Sequence, residues 1–262
     1  MIRERAKQEA SLSFSHPNLV QMIGLCEVAP NYGPIFILSG YVAGITLDAH
    51  VKEQLNLLPQ EDRIEKISNE LCKVLDALQY LHSRGVVHRD VKPSNIMIEN
   101  GSVVKLMDLG IARLNGGNKY SSYGFIGTPQ YAAPEQILRD SDNTEINAQT
   151  DIYALGVTYY ELLTGKNPFK TDVEAEMLSR QIKMKLPYDK IIPRSIFNVI
   201  LKATEKVPAK RYKSASEFKF AILDALQRSK ENSIKDWVLT NWKPLLGGFV
   251  IILILLIIVF TI

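Results

Sequence analysis

The chain has little of what marks a disulfide scaffold, a repeat array or a strongly charged protein. Only two of its 262 residues are cysteine. Cys26 and Cys72 stand in apolar contexts, IGLCEV and ELCKVL, with neither a disulfide framework nor metal-ligand spacing, and read as buried, reduced thiols of a cytosolic domain. Charge of one sign is scarce: 31 Lys plus Arg stand against 28 Asp plus Glu, a net +3 too slight for the electrostatic footprint of a nucleic-acid binder. The cluster Lys202, Lys206, Lys210, Arg211 and Lys213 is interleaved with acids, which predicts a solvated face. There is no fixed-period repeat and no low-complexity tract, and the charged opening MIRERAKQEA does not read as a secretory leader. What remains is a globular composition, 46% apolar and 23% charged, enough for one large or two small domains.

One stretch departs from that composition. Residues 245–262 read LLGGFVIILILLIIVFTI, without a single charge. A helix of this length at 1.5 Å per residue covers about 27 Å, enough for a thin hydrocarbon core. Trp237 and Trp242 precede it at the place of the headgroup interface. Arg228, Lys230, Lys235 and Lys243 add positive charge on the same side, which keeps the preceding domain in the cytoplasm. The expectation is a single-pass membrane tail anchor at 245–262, a polar juxtamembrane linker at 229–244, and a partner in the membrane itself. Gly247-Gly248 offers a close-packing point for a homodimer, though not at small-xxx-small spacing.

Upstream, residues 3 to 14 carry an amphipathic helix pattern that stops at His16-Pro17-Asn18. Two strand-like runs follow, LVQMIGLCEV and IFILSGYV, separated by APNYGP. After Gly44 the pattern turns helical, first over Leu47 to Leu57. From Arg63 to His82 apolar residues then recur at Ile64, Ile67, Leu71, Leu75, Leu78 and Leu81. Asp151 to Thr164 is an apolar helix, and further helical stretches run to about Arg228. Two short strands followed by mostly helix predict an α+β domain dominated by helices.

The chemistry is concentrated in two strings. Residues 88–95 read HRDVKPSN and residues 108–110 read DLG. Asp90 and Asn95 stand five residues apart in a proline-constrained loop with Lys92 between them, and a second carboxylate, Asp108, follows a strand-like VVKLM. Phosphoryl transfer needs a carboxylate to orient the attacking hydroxyl, oxygen ligands for magnesium and a cation near the moving phosphate. Asp90, the pair Asn95 and Asp108, and Lys92 supply those functions.

In these strings the chain resembles a protein kinase, over roughly residues 3 to 228. HRDVKPSN resembles the catalytic loop. DLG resembles the magnesium-binding triplet, with Leu109 in place of Phe. GTPQYAAPE (127–135) resembles the end of the activation segment. DIYALGVTYYELLTGKNPF (151–169) resembles the central large-lobe helix and its following turn, and KRY (210–212) carries a late Arg. The resemblance implies a large lobe over 43–228, a small-lobe remnant over 1–42, and ATP and Mg2+ as cofactors. It implies that Asp90 orients the substrate hydroxyl, that Lys92 steadies the phosphate, and that Asn95 and Asp108 hold magnesium. Lys92 and Thr128 are similar to the serine/threonine class, Thr128 bridging Asp90 and Lys92. Glu135 and Arg211 would form a buried ion pair, and Asp151 would hydrogen-bond the catalytic-loop backbone. His88 reads as a packed core histidine rather than a base. In SGYVAGITL (39–47) the backbone of Gly40 and Val42 would meet adenine beside a small Ser39. Met97 would close the floor of that slot or pack in the core. Arg89 would pair with an activation-loop phosphate, with Ser121 or Ser122 as the acceptor.

A kinase pattern normally begins with a glycine-rich loop and a Lys-bearing strand, and neither occurs in the chain. The glutamate of the small-lobe helix falls to Glu9 or Glu4, with Glu9 preferred for its company in QEASL. Two expectations follow: a piece of a longer membrane-anchored serine/threonine kinase of bacterial receptor type, acting on Ser/Thr of a protein substrate, or a short kinase-like docking or scaffold module at the membrane.

Overall fold

A computed structural model describes residues 14–27, 35–108, 120–121, 124–125, 128–138, 146–233 and 237. Glu9, Glu4, Ser122, the helix expected over residues 3 to 14 except for Phe14, Gly247-Gly248 and the whole of 245–262 lie outside the described residues. Among the described residues no helix is long and apolar enough to cross a membrane.

The two strand-like runs form β1 (Met22–Glu27) and β2 (Ile35–Ser39), paired antiparallel with Cys26 opposite Phe36. Cys26 is exposed on this ribbon, contrary to the buried thiol expected of it, whereas Cys72 is buried. A two-stranded ribbon has only one partner strand and cannot cover both its faces. The chain between 18 and 20 is tied down by Leu106: Val20 N–H donates to Leu106 O (3.0 Å) and Leu106 N–H to Asn18 O (2.8 Å).

Gly44–Thr46, which the sequence pattern leaves unassigned before the helix at Leu47, is a strand, β3, because it completes an antiparallel sheet with β4 (Ile96–Glu99) and β5 (Val103–Leu106) in the order β3-β4-β5. The approach at Gly44 is too close for any side chain: a Cβ there would lie 2.0 Å from Ile98 O. The helical run from Leu47 divides into α1 (Leu47–Glu53) and a short 3-10 turn, Leu55–Leu57. Helix α2 (Gln60–His82) buries Ile64, Ile67, Leu71, Leu75, Leu78 and Leu81 on one stripe, the spacing that predicted it.

After the 3-10 turn Pro129–Tyr131, the short helix α3 (Pro134–Ile137) leads to α4 (Ala148–Thr164). This helix begins three residues before the expected Asp151 because Asn147 caps it, its side chain accepting from Gln149 N–H at 2.9 Å. It ends at Gly165, whose φ of +71° favours glycine. Almost every residue of α4 is buried, so it is the axis of the large lobe, and the run YALGVTYYELL is apolar on all sides for that reason. Gly156 admits α6 (Arg194–Ala203): a Cβ would meet Thr204 Cγ2 at 2.8 Å and Ala203 Cβ at 3.0 Å.

Helix α5 (Glu174–Lys183) precedes α6, and α7 spans residues 215–233. The expected boundary after Arg228 therefore falls inside a helix. Lys230 Nζ reaches Glu65 Oε1 (2.7 Å) and Ser233 Oγ reaches Glu61 Oε1 (2.9 Å), so the start of the expected linker packs against α2. Arg211 and Lys206 do not belong to the solvated face expected of them. Arg211 is 2% exposed, and Lys206 is partly buried with its ammonium 2.7 Å from Tyr153 Oη.

Candidate active site

The catalytic-loop string hangs from one carboxylate in the first turn of α4. Asp151 is fully buried, and its oxygens accept from the backbone N–H of His88 (2.8 Å) and of Arg89 (2.7 Å). His82, in the last turn of α2, brings Nε2 to the same carboxylate at 2.8 Å. With two successive amides pinned, Arg89 is held at φ +66°, a conformation a non-glycine residue rarely adopts, and the chain turns sharply into Asp90. His88 lies beneath that turn, fully buried. Its Nε2 donates to Met107 O (2.8 Å) and its Nδ1 accepts from Asp90 N–H (3.3 Å), which requires the neutral ring. Burial holds its pKa below the ordinary histidine value, in keeping with a packing role.

The turn delivers Asp90 into a ring of donors. Lys92 Nζ is 3.0 Å from Asp90 Oδ2 and donates to Thr128 Oγ1 at 2.8 Å. The Thr128 hydroxyl donates in turn to Asp90 Oδ1 at 3.2 Å. Asn95 Nδ2 donates to Asp90 O (2.9 Å) and to Asp90 Oδ2 (3.0 Å). Three residues from two distant stretches thus converge on one carboxylate.

Asp108 follows β5, exposed, in the left-handed region at φ +47°. Met107 N–H donates to Asn95 O (2.8 Å), tying the strand carrying Asp108 to the loop carrying Asn95. With its Nδ2 committed to Asp90, Asn95 has its amide oxygen left as a ligand atom. Asn95 and Asp108 offer the hard oxygen donors that suit magnesium, whose shell is otherwise completed by water and phosphate oxygens. Among the described residues no group of three or more His, Cys, Asp or Glu could hold a metal.

The segment after Thr128 is fixed at both ends. Glu135 and Arg211 form a bidentate ion pair (2.6 and 2.8 Å), 2% exposed on each side. Thr150 Oγ1 donates to the same carboxylate (2.9 Å), and Arg211 also donates to the carbonyls of Glu205, Gln149 and Lys206. Both charges are therefore compensated. Gln136 Nε2 donates to Arg89 O (3.2 Å), a link from α3 to the loop that sequence reasoning missed. Gln181 was missed too: wholly buried in α5, it donates from Nε2 to Gln130 O (2.5 Å) and Pro129 O (3.3 Å). The signal was available in its register, three residues after the buried Leu178 on the inward side of α5.

At the expected adenine edge, Gly40 N–H is spent on Gln21 O (2.8 Å), which fixes the connection between ribbon and large lobe. Its carbonyl would then be the group presented to a base. Val42 is buried and Ser39 exposed. In β4, Ile96 and Ile98 are buried while Met97 is only partly so, placing Met97 on the face away from the core. Ser121 belongs to a short hairpin, Tyr120–Ser121 with Gly124–Phe125 (β6 and β7), for which only the backbone is described.

This geometry has close counterparts. The protein kinase domain family matches residues 2–222. Serine/threonine-protein kinase PknB of Mycobacterium tuberculosis is 34% identical over 230 residues, covering 83% of this chain and 35% of that protein. Serine/threonine-protein kinase PrkC of Bacillus subtilis is 32% identical over 235 residues, covering 88% of this chain and 34% of that protein. The chain thus spans about a third of the length of these curated relatives. Among solved structures, the Mycobacterium tuberculosis PknI kinase domain superposes with a TM-score of 0.62 at 25% identity, covering 86% of this chain and 79% of that one. Matched over most of its length and similar to bacterial serine/threonine kinases, the chain belongs to the protein kinase domain family.

Proposed function

We propose that the chain is the phosphoryl-transfer lobe of a serine/threonine protein kinase that uses ATP and Mg2+ and acts on hydroxyls of a protein substrate. One observation carries this reading: Thr128 Oγ1 sits between Lys92 Nζ (2.8 Å) and Asp90 Oδ1 (3.2 Å), uniting the loop and the substrate-facing segment in one hydrogen-bonded unit. Such transfer depends mainly on placed charge and held geometry. Asp90 orients the substrate hydroxyl and takes its proton. Lys92 steadies the phosphate as charge moves to its oxygens. Asn95 and Asp108 supply the protein's oxygens to magnesium, which when bound neutralises phosphate charge. The backbone of Gly40 and Val42, with Met97 beneath, meets the base. Arg89 pairs with a phosphate on the activation loop, at Ser121 or Ser122.

We further propose that residues 245–262 anchor the protein in a membrane with the kinase lobe cytoplasmic. The support is the uncharged eighteen-residue run and the basic residues before it.

Two experiments test these readings. Phosphate transfer to a serine/threonine peptide library is assayed with this chain and with the longest reading frame containing it, each beside Asp90→Asn. The expected result is phosphoserine or phosphothreonine that disappears in the variant; transfer that survives Asp90→Asn would overturn the assignment. For the anchor, alkaline extraction of membranes should release the protein only after residues 245–262 are deleted.

A further inference from the structure

The polar contacts of Gln181 continue beyond the substrate-facing segment. Its Oε1 accepts from Tyr153 Oη (2.5 Å), and Tyr153 Oη accepts from Lys206 Nζ (2.7 Å). Tyr153 is fully buried in α4, and Tyr153 Oη also lies 3.4 Å from Gln181 O. Lys206 Nζ stands 4.6 Å from the ring centre of Phe169 and 5.0 Å from that of Tyr153, whose face also carries the Arg211 guanidinium at 4.8 Å. The charged groups around it are Arg211, Glu205 and, through Arg211, Glu135. The direction of the chain is set by chemistry. Burial pushes Lys206 down to about 7, so the direction is read from the other end. The carbonyls of Pro129 and Gln130 only accept, so Gln181 turns its NH2 to them and its Oε1 takes the Tyr153 proton. The Tyr153 oxygen then accepts from Lys206. Gln130 O receives a further, longer contact from Asn167 Nδ2 (3.3 Å). A buried amide so fully used orders whatever it touches, and what it touches directly follows Thr128.

We propose that Gln181, oriented by Tyr153 and Lys206, is a positioning residue: it locks the Pro129–Gln130 backbone and so holds the Thr128 hydroxyl between Asp90 and Lys92. The catalytic consequence rests on the kinase reading above; the structural one does not. Helix α5 thereby communicates with the reacting carboxylate through a single side chain.

Two variants test this in the full chain. Gln181→Leu keeps much of the volume and removes the donors; Tyr153→Phe keeps the ring and cuts the link to Lys206. Amide exchange is read at Tyr131 and Ala132, whose N–H groups close the 3-10 turn onto Thr128 O (3.1 Å) and Pro129 O (3.2 Å). Exchange there should quicken about tenfold in Gln181→Leu, and less in Tyr153→Phe, with the buried amides of α4 unchanged. In an active protein, kcat/KM for the protein substrate should fall by a similar factor while KM for ATP stays constant. Exchange at Tyr131 and Ala132 within twofold of wild type in both variants would overturn the proposal, as would faster exchange with unaltered kinetics. If Gln181→Leu loses α4 protection altogether, Tyr153→Phe alone decides. Absence of phosphate transfer by the wild type would strike the proposed function and leave the exchange result to judge the lock.

Discussion

Residues 88–95 and the β1–β2 ribbon are both short stretches of chain without much regular structure around them, yet they are held in opposite ways. The loop is nailed by polar side chains: Asp151 accepts from two of its amides, Gln136 donates to one of its carbonyls, and Asn95 closes it on Asp90. The ribbon makes its own ladder, is tied to the lobe through Gln21 and residues 18–20, and turns Ile23, Phe36 and Leu38 outward at 66%, 52% and 49% exposure. Order at the loop comes from polar groups that would be costly to leave unpaired, so it is sharp and tolerates little change. The ribbon has no such penalty to enforce its position. The largest effects of mutation should therefore lie on the loop side.

The heaviest test is Arg211→Ala. It strands the Glu135 carboxylate in the core, and loss of one partner of a buried pair costs about 3–5 kcal/mol. Denaturant unfolding should show that loss, or no folded protein at all; a cost below about 1 kcal/mol would mean that this ion pair does not anchor the segment. Next comes Asp90→Asn, which keeps the shape but removes the proposed proton acceptor and turns an NH2 toward the donors around it. Transfer should fall about a thousandfold, the middle of the range for a positioned base, and stability by about 1 kcal/mol.

A third test compares two carboxylates of the large lobe, Glu135 buried and Glu70 partly buried. Glu135 is matched by a guanidinium; Glu70 has the weaker company of His50, whose Nε2 lies 3.1 Å away. Burial pushes the Glu70 carboxyl up from 4.5 to about 7, against Lys73 and Lys66, and burial holds His50 below its ordinary value. The folded state thus keeps the Glu70 proton longer than the unfolded chain does. Its contribution to stability is fully present below 4.5 and is lost as pH rises through about 7. His50 acts in the opposite sense, costing stability as pH falls through its unfolded value of 6.5. Measured against Glu70→Gln, which leaves His50 in place, wild-type stability should decline by roughly 2–3 kcal/mol between pH 5 and pH 8. Parallel pH profiles for the two proteins would show that Glu70 titrates normally.

What was legible in the sequence divides along similar lines. The α2 stripe was readable because helical burial repeats every three or four residues, and the site strings because phosphoryl transfer demands particular side chains in a particular order. The lock on Pro129–Gln130 was not readable. Gln181 shares the inward register of Leu178, but register shows a face and not a partner, so only the fold reveals which carbonyls it holds. Lys206 looked like its solvated neighbours because charge in a sequence carries no depth. β3 was hidden since three residues show no alternation, and its partners lie some fifty residues away. The unusual backbone of Arg89 is imposed by a distant carboxylate, Asp151, rather than by local preference.

The smallest expected effect is also the one that could break the comparison. Phe36→Thr keeps a residue suited to a strand and removes a ring already half in solvent, so stability should change by no more than about 0.5 kcal/mol. Leu106→Ala, on the strand that ties residues 18–20 to the lobe, removes a side chain 1% exposed and should cost about 2–5 kcal/mol. Phe36→Thr should also lower the tendency of the protein to associate at high concentration, since it takes an aromatic from an open strand face. Paired unfolding curves and light scattering would measure both. If Phe36→Thr proved as costly as Leu106→Ala, the outer face of the ribbon would be covered in solution. Its position would then be enforced by burial, as firmly as the loop's is by hydrogen bonds.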